Sequence, residues 1–225
     1  MMKHAILLAI SFCFFLNPTM IQAQEQFSSR YNITYVTMEN GLLHNFIDDI
    51  YKDKQGFLWF STGGGGLSRY DGYEFVHYSI NTSPVKLKSN FIRTVCEDNF
   101  GRLWIVSEGG TDILDLKKLQ LTLPRKEHSA FAAILSQPII NVTKDSQGAI
   151  WLRGHSSLHK ITFKTNGEVA DIFTLYNISI NTPAVALSDV DEDGQIWIGL
   201  GNKSCKVYPA EKNALKAVLI SPLLE

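Results

Sequence analysis

Asp53-Lys54-Gln55-Gly56-Phe57-Leu58-Trp59-Phe60 is the stretch that decides the fold, because its pattern occurs four times in the chain. Each copy has an aspartate, a glycine three residues later and a tryptophan three residues after that glycine. The four copies are Asp53, Gly56 and Trp59; Asp98, Gly101 and Trp104; Asp145, Gly148 and Trp151; and Asp191, Gly194 and Trp197. Successive tryptophans are 45, 47 and 46 residues apart, and the protein has no others. Short apolar runs and turn residues that repeat at this interval are typical of β-propeller blades.

The chemistry of the motif predicts a tight hairpin followed by a buried strand. An aspartate that opens a turn accepts a hydrogen bond from a backbone N–H two residues on, and the glycine takes a positive φ without steric cost. The run after the glycine, Leu58-Trp59-Phe60 in the first copy, is apolar on both faces. Such a strand suits a sheet that neighbouring blades cover on both sides. We therefore interpret each tryptophan as a spacer packed between blades.

The runs between the turns predict an all-β fold, a β-propeller of four blade-sized, four-stranded repeats. In the first repeat the strand-like runs are residues 45–52, 57–62, 67–70 and 74–78. The repeats cover about residues 42–78, 90–118, 138–163 and 185–220, and the polar or proline-bearing stretches 81–89 and 123–137 are interpreted as connections between blades. A run of β-branched and aromatic residues at 31–37 predicts one leading strand. We expect an open arc from a larger propeller; a closed ring of four blades is the alternative.

The N-terminus has the three parts of a secretory signal peptide, residues 1–23. Lys3 is followed by an apolar run of 12 residues, from Ala5 to Leu16, and a small residue, Ala23, stands at the expected cleavage point. The run is shorter than the about 20 apolar residues that span a bilayer, which disfavours a retained membrane anchor. We expect cleavage after Ala23, export of the chain, and a propeller region of residues 24–225.

Charge and cysteine usage narrow the function classes. The formal net charge is −1 at pH 7, so there is no electrostatic basis for nucleic-acid binding. Cys13 lies in the N-terminal apolar run, which leaves Cys96 and Cys205 in the mature chain. These two residues occupy different positions in non-adjacent repeats, so we expect two buried free thiols rather than a disulfide.

The first repeat resembles the two-component regulator propeller repeat. The resemblance rests on Gly41-Leu42, on the pattern Ile-x-x-Ile-x-x-Asp-x-x-Gly-x-Leu-Trp from Ile47 to Trp59, and on the run from Gly66 to Gly72. Repeats two to four match mainly from the aspartate to the tryptophan. The family implies the periplasmic, N-terminal sensor part of a hybrid two-component histidine kinase that senses glycan-derived oligosaccharides, with the parent protein in the inner membrane. The implied partners are an oligosaccharide or other small polar ligand, further propeller blades and the membrane-anchored kinase; a homodimer is a further expectation.

Ligand contacts are expected on one rim of the propeller. The Asp-x-x-Gly turns join the first and second strands of each blade and so share one rim, whereas the loops after the second strands and the links between blades share the other. Seven polar residues fall on that opposite rim, together with the glycine run 63–66: His44, Asn45, Asn90, Glu108, Arg153, His155 and Asn202. We predict that this rim meets a sugar-like or other polar ligand. The alternative for each residue is an ordinary solvated loop side chain.

No metal, cofactor or catalytic site is predicted. Asp189, Asp191 and Asp193, followed by Gly194, resemble the first half of a calcium loop, but Leu200 stands where a bidentate glutamate is expected. A solvated acidic turn is therefore the preferred interpretation. No nucleophile and base are paired recognisably in the sequence, so we assign no catalytic residue. Two alternatives to a sensor are kept, an exported propeller enzyme acting on polysaccharide and a non-catalytic interaction scaffold.

Overall fold

Each of the four repeats forms one antiparallel sheet of four strands. The computed structural model describes residues 35–122, 129–155, 157–176, 185–190, 196–200, 203–210 and 214–222. In every sheet the strands lie side by side in chain order, as in a blade built from one continuous segment.

The strand boundaries follow the repeats. Blade one contains β1 (Ile47–Lys52), β2 (Leu58–Thr62), β3 (Gly66–Tyr70) and β4 (Phe75–Tyr78). Blade two contains β5 (Ile92–Glu97), β6 (Arg102–Ser107), β7 (Gly110–Asp115) and β8 (Gln120–Leu121). Blade three contains β9 (Ile139–Lys144), β10 (Ile150–Gly154), β11 (Ser157–Phe163) and β12 (Val169–Tyr176). Blade four contains β13 (Val185–Val190), β14 (Ile196–Leu200), β15 (Lys203–Ala210) and β16 (Ala214–Pro222).

The blades follow one another along an open arc. The first strand of each blade lies next to the first strand of the following blade, so β1 contacts β5, β5 contacts β9, and β9 contacts β13. Among the strands that the structure describes, no contact of comparable extent joins blade four to blade one. The predicted fold class, an all-β propeller arc of four four-stranded blades, is confirmed.

The described hydrophobic core lies between neighbouring blades and consists of two clusters. The first cluster joins blades one and two and contains the fully buried Trp59 and Leu103. The second cluster joins blades two and three and contains the fully buried Trp104 and Ile150. Trp59 and Trp104 therefore act as the spacers that the sequence predicts.

The aspartate of each described turn holds both the turn and the tryptophan. In blade one, Oδ1 of Asp53 accepts hydrogen bonds from the backbone N–H groups of Gln55 and Phe57, both at 2.9 Å. Its Oδ2 accepts a hydrogen bond of 2.8 Å from the indole Nε1–H of Trp59, and Gly56 closes the turn at φ 96°. The sequence predicts the bond from Gln55, but it predicts neither the bond from Phe57 nor the bond from the indole.

The same arrangement recurs in blades two and three. Asp98 accepts from Nε1 of Trp104 at 3.0 Å, and Asp145 accepts from Nε1 of Trp151 at 2.9 Å. All three carboxylates are buried, so the motif is a repeated polar clamp inside an apolar interface. The fourth copy is described only in part: Asp191 and Gly194 lie outside the described residues, and Trp197 belongs to β14.

One predicted connection between blades contains a helix. The stretch 123–137 was interpreted as a connection between blades, and within it residues Ser129–Leu135 form helix α1. Phe131, Ile134 and Leu135 stand at helical i, i+3 and i+4 spacing and are buried in the second cluster. The ring centroids of Phe131 and Trp104 lie 6.0 Å apart. This link therefore contributes to the core between blades two and three.

The N-terminal predictions fall largely on residues outside the described part of the chain. The signal peptide, residues 1–23, lies outside it, as do residues 31–34 of the leading strand. Residues 35–37 form no strand, and a short 3-10 helix, Met38–Asn40, follows them. In the described segments, none of the helices has both the length and the apolar character needed to cross a membrane.

Candidate ligand-binding rim

Two rims of the arc differ in their loops. The Asp-x-x-Gly turns join β1 to β2, β5 to β6, and β9 to β10. The loops after β2, β6 and β10, together with the segments that enter β1, β5 and β9, lie at the opposite ends of these strands. We call this second edge the loop rim; its described parts are residues 43–48, 63–65, 90–93, 108–109 and 153–155. The predicted ligand residues, apart from Asn202, belong to it.

His44 and Asn45 shape the entry to blade one. Nδ1 of His44 accepts a hydrogen bond of 3.0 Å from the backbone N–H of Phe46. Oδ1 of Asn45 accepts one of 3.1 Å from the backbone N–H of Met38. One acceptor atom of each side chain is therefore used by the local backbone. Their role as ligand residues stays a prediction.

Asn90 ties blade two to the loop rim of blade one. Its Oδ1 accepts a hydrogen bond of 3.0 Å from the backbone N–H of Ile80. Its backbone carbonyl accepts from the N–H groups of Gly64 and Gly66, at 3.2 and 2.8 Å. Asn90 thus links blades one and two by hydrogen bonds, and its role as a ligand residue stays a prediction.

Glu108 is the charged surface residue of the second loop. Its Oε1 lies 3.2 Å from Nη2 of Arg93, and both side chains are about half exposed, at 54% and 45%. An ion pair at this exposure contributes about 0–1 kcal/mol to stability. Both groups therefore remain accessible to a ligand at little energetic cost.

The candidates of blade three stand apart from the rest. Arg153 is the fourth residue of β10, partly buried and opposite Asn141 of β9, and His155 is exposed two residues later. Asn202 lies outside the described residues. The structure therefore groups His44, Asn45, Asn90 and Glu108 on blades one and two, and separates Arg153 and His155 on blade three.

Two residues that the sequence analysis missed lie among that group. Phe46 and Phe91 are 63% and 51% exposed, although phenylalanine is usually buried. Phe46 donates its backbone N–H to His44, and the backbone carbonyl of Phe91 accepts from the N–H of Glu108 at 3.1 Å. The available signal was positional: the two phenylalanines are 45 residues apart, the interval that also separates the first two tryptophans.

Two buried carboxylates, those of Glu97 and Asp112, bind backbone N–H groups that are distant in the chain. Oε2 of Glu97 accepts a hydrogen bond of 2.8 Å from the backbone N–H of Lys54 in the neighbouring blade. Oδ2 of Asp112 accepts one of 2.9 Å from the backbone N–H of Lys88; burial raises the pKa of the Asp112 carboxyl, and this hydrogen bond opposes the rise. Each carboxylate thus has a structural partner.

A buried histidine lies in blade three. Nε2 of His159 lies 3.1 Å from Oγ of Ser157, and Nδ1 lies 3.0 Å from Oγ1 of Thr174. Burial lowers the pKa of His159. The hydroxyl partners are consistent with a neutral imidazole that fills a polar position inside the sheet.

The calcium prediction lies almost wholly outside the described residues. Asp191 and Asp193 are not described, and Asp189 is placed only as a member of β13. Within the segments that are described, no group of three or more histidine, cysteine, aspartate or glutamate side chains is arranged to hold a metal ion.

Part of the chain matches a known protein family. A family model described as two component regulator propeller matches residues 41–64 and 86–109, which are equivalent parts of the first two repeats. A search of the curated proteins gives no match.

Solved structures share the architecture. The chain is similar to the extracellular domain of a hybrid two component system of B. thetaiotaomicron, with 23% identity and a TM-score of 0.57, over 81% of this chain and 25% of that chain. A second such domain from the same organism has 18% identity and a TM-score of 0.55, over 84% and 32%. A streptogramin B lyase has 14% identity and a TM-score of 0.53, over 80% and 56%.

The similarity to solved structures and the match to the family model support different conclusions. At such identities the solved structures support the propeller fold alone, and the chain spans about a quarter to a third of the length of the two sensor domains. The repeat itself is identified independently, by the family model and by the in-phase aspartate, glycine and tryptophan positions. The first two repeats therefore match the two-component regulator propeller repeat, and the third and fourth share its aspartate, glycine and tryptophan positions.

Proposed function

We propose that this chain is the exported, N-terminal sensor propeller of a hybrid two-component histidine kinase, and that it binds glycan-derived oligosaccharides. The observation that carries the proposal is the two-component regulator propeller repeat at residues 41–64 and 86–109. The sensor domains of B. thetaiotaomicron to which the chain is similar are described as extracellular. Export by residues 1–23 and a periplasmic location belong to the same proposal.

The open arc supports a role as part of a larger assembly. On the face of blade one that points away from blade two, Ile50 is 57% exposed, whereas its neighbour Phe60 is buried. The equivalent residues of blade two, Val95 and Ile105, are fully or almost fully buried against blade one. An exposed apolar blade face of this kind favours further blades in the parent protein as its neighbours.

The kinase part of the proposal is tested in the parent protein. It requires a membrane span and a histidine kinase encoded downstream of Glu225. Membranes that contain the parent regulator should then show a change in kinase autophosphorylation when neutral or acidic oligosaccharides are added, and the change should disappear when residues 37–222 are deleted. A parent without a kinase, or one that responds equally after the deletion, contradicts the proposal.

A further inference from the structure

Phe46 and Phe91 are equivalent residues of blades one and two, and both expose a large part of their rings. Each stands one residue before the first strand of its blade, β1 or β5. The tryptophans of the same two blades are fully buried, whereas the phenylalanine at this position of the repeat is exposed in both blades. Exposed aromatic groups that cluster on one edge of a protein are typical of binding surfaces.

The backbone of Gly63 lies between the two phenylalanines. Its N–H donates a hydrogen bond of 3.1 Å to the carbonyl of Phe46. On its other side Gly63 forms an antiparallel bridge with Phe91. Neighbouring extended chains are about 4.8 Å apart, so the backbones of Phe46 and Phe91 are separated by about 10 Å. The pair therefore offers two stacking positions. They are too far apart for a single six-membered ring to contact both.

Gly63 allows the Phe46 ring to lie against the backbone, and the Phe91 ring lies next to Gly64. A Cβ on Gly63 would be 2.5 Å from Cδ1 of Phe46, a distance that atoms do not tolerate. A Cβ on Gly64 would be 3.6 Å from the ring of Phe91, in van der Waals contact. The absence of a side chain at Gly63 thus determines where the Phe46 ring lies, which gives the glycine run a purpose beyond turn formation.

Hydrogen-bonding groups accompany each ring. Asp48 follows Phe46 by two residues, and its Oδ2 would be 3.2 Å from a Cβ on Gly63, so the carboxylate lies at the same place as the Phe46 ring. Arg93 follows Phe91 by two residues and is paired with Glu108. Two carboxylates and one guanidinium give this patch a net charge of −1, which disfavours polyanionic ligands by repulsion.

Sugar chains match this combination of groups. A pyranose ring has an apolar face of C–H groups, which packs on an aromatic ring, and an edge of hydroxyls, which carboxylate and guanidinium groups bind. We propose that Phe46 and Phe91 are the two stacking positions of an oligosaccharide site that takes a neutral chain of two or more sugar rings, with Asp48, Arg93 and Glu108 binding its hydroxyls. This inference rests on the proposed function and specifies its site and ligand class.

The test is binding of the purified chain to an array of oligosaccharides of one to six rings, both neutral and sulfated or uronate-containing, followed by calorimetry with the neutral oligosaccharide that binds most tightly. Phe46→Ala and Phe91→Ala are each expected to weaken binding about three- to tenfold, the range for loss of one ring-stacking contact. The matched control is Tyr73→Ala, which removes an aromatic side chain that is 92% exposed in the turn between β3 and β4, on the other rim. It should leave binding unchanged.

Conservative variants separate stacking from a structural role. Phe46→Tyr keeps the ring and should bind as the wild type does, whereas Phe46→Leu keeps apolar cover over Gly63 but has no aromatic face and should bind like Phe46→Ala. Thermal unfolding of each variant verifies that the fold is intact.

The outcomes are distinguishable. If a neutral oligosaccharide binds and both alanine variants bind it equally well, the stacking site is wrong while the proposed function stands. Binding of anionic chains alone, or of monosaccharides as tightly as longer chains, also overturns the site. If no oligosaccharide on the array binds the wild type, glycan sensing by this chain and the site are both wrong.

Discussion

Replacing Asp53 by asparagine tests the carboxylate clamp from which the blades are built. The aspartate uses both oxygens: Oδ1 accepts from two backbone N–H groups, and Oδ2 accepts from the indole of Trp59. Asparagine has only one acceptor oxygen. If that oxygen serves the turn, the amide NH₂ faces the indole N–H; if it serves the indole, the NH₂ faces the backbone amides. Either orientation puts donor against donor in a buried site.

The expected cost follows from the lost hydrogen bond. A hydrogen bond to a charged acceptor contributes about 1.5–3 kcal/mol, and a buried donor left without an acceptor costs about 1–3 kcal/mol. We therefore expect Asp53→Asn to lower the free energy of unfolding by about 3 kcal/mol. For a chain of this size, that corresponds to a fall in Tm of about 6–12 °C.

The assay is thermal unfolding followed by tryptophan fluorescence, with Asp71→Asn as the control. Asp71 is exposed, and its Oδ1 alone accepts from the backbone N–H groups of Tyr73 and Glu74 at 2.8 Å. Asparagine can keep both of these bonds, so the Tm of Asp71→Asn should remain near that of the wild type. Equal stability of the two asparagine variants would refute the reasoning, because the indole bond would then contribute nothing.

Three further outcomes are expected. Phe131→Ala should lower the free energy of unfolding in urea by about 3–5 kcal/mol, because it empties a core position of α1; a change below about 1 kcal/mol would show that the helix is not part of the core. Burial lowers the pKa of His159 below its ordinary 6.5, so the unfolded chain binds the proton more readily, and Tm should hold above pH 6.5 and fall below it. The fall between pH 7 and 5 should be smaller in His159→Gln, and an equal fall would contradict this origin. Burial raises the pKa of Cys96 to about 11, so peptide-resolved labelling with a thiol reagent at pH 8 should modify Cys96 only after unfolding; prompt labelling of the folded protein would contradict the buried position.

The blades were predictable because their determinants are local and repeated. The spacing of aspartate and glycine fixes each hairpin within four residues, and the in-phase tryptophans show that the hairpins belong to equivalent units. The bond between Asp53 and the Trp59 indole was not predictable in the same way. It depends on the side-chain conformation of Trp59, six residues after Asp53, and the repeat pattern does not determine that conformation.

Helix α1 shows where sequence periodicity fails. The helix has seven residues, so Phe131, Ile134 and Leu135 span little more than one turn, and a proline follows at Pro138. A pattern this short does not distinguish a helix from an irregular link. Its burial comes from the space beside Trp104, between blades two and three, which is a property of the packed sheets.

The position of the loop rim was predicted from topology, but the contacts and the exposure of its residues were not. Asn90 was selected as a polar ligand residue, whereas the structure uses it to bind the amides of Ile80, Gly64 and Gly66. Phe46 falls within the strand-like run 45–52, and phenylalanine is usually buried, so the sequence did not indicate an exposed ring. The exposure of its ring depends on which surfaces the neighbouring blade covers, and the sequence pattern does not show this packing.

Hydrogen exchange measured by mass spectrometry tests most directly the claim that the loop rim meets the ligand. The chain is compared alone and with the neutral oligosaccharide that the array identifies. We predict slower exchange in peptides containing residues 43–48, 63–66 and 90–93, and unchanged exchange in the turn peptides containing residues 53–56 and 98–101. Protection of the turn peptides, with none at the loop rim, would contradict the account.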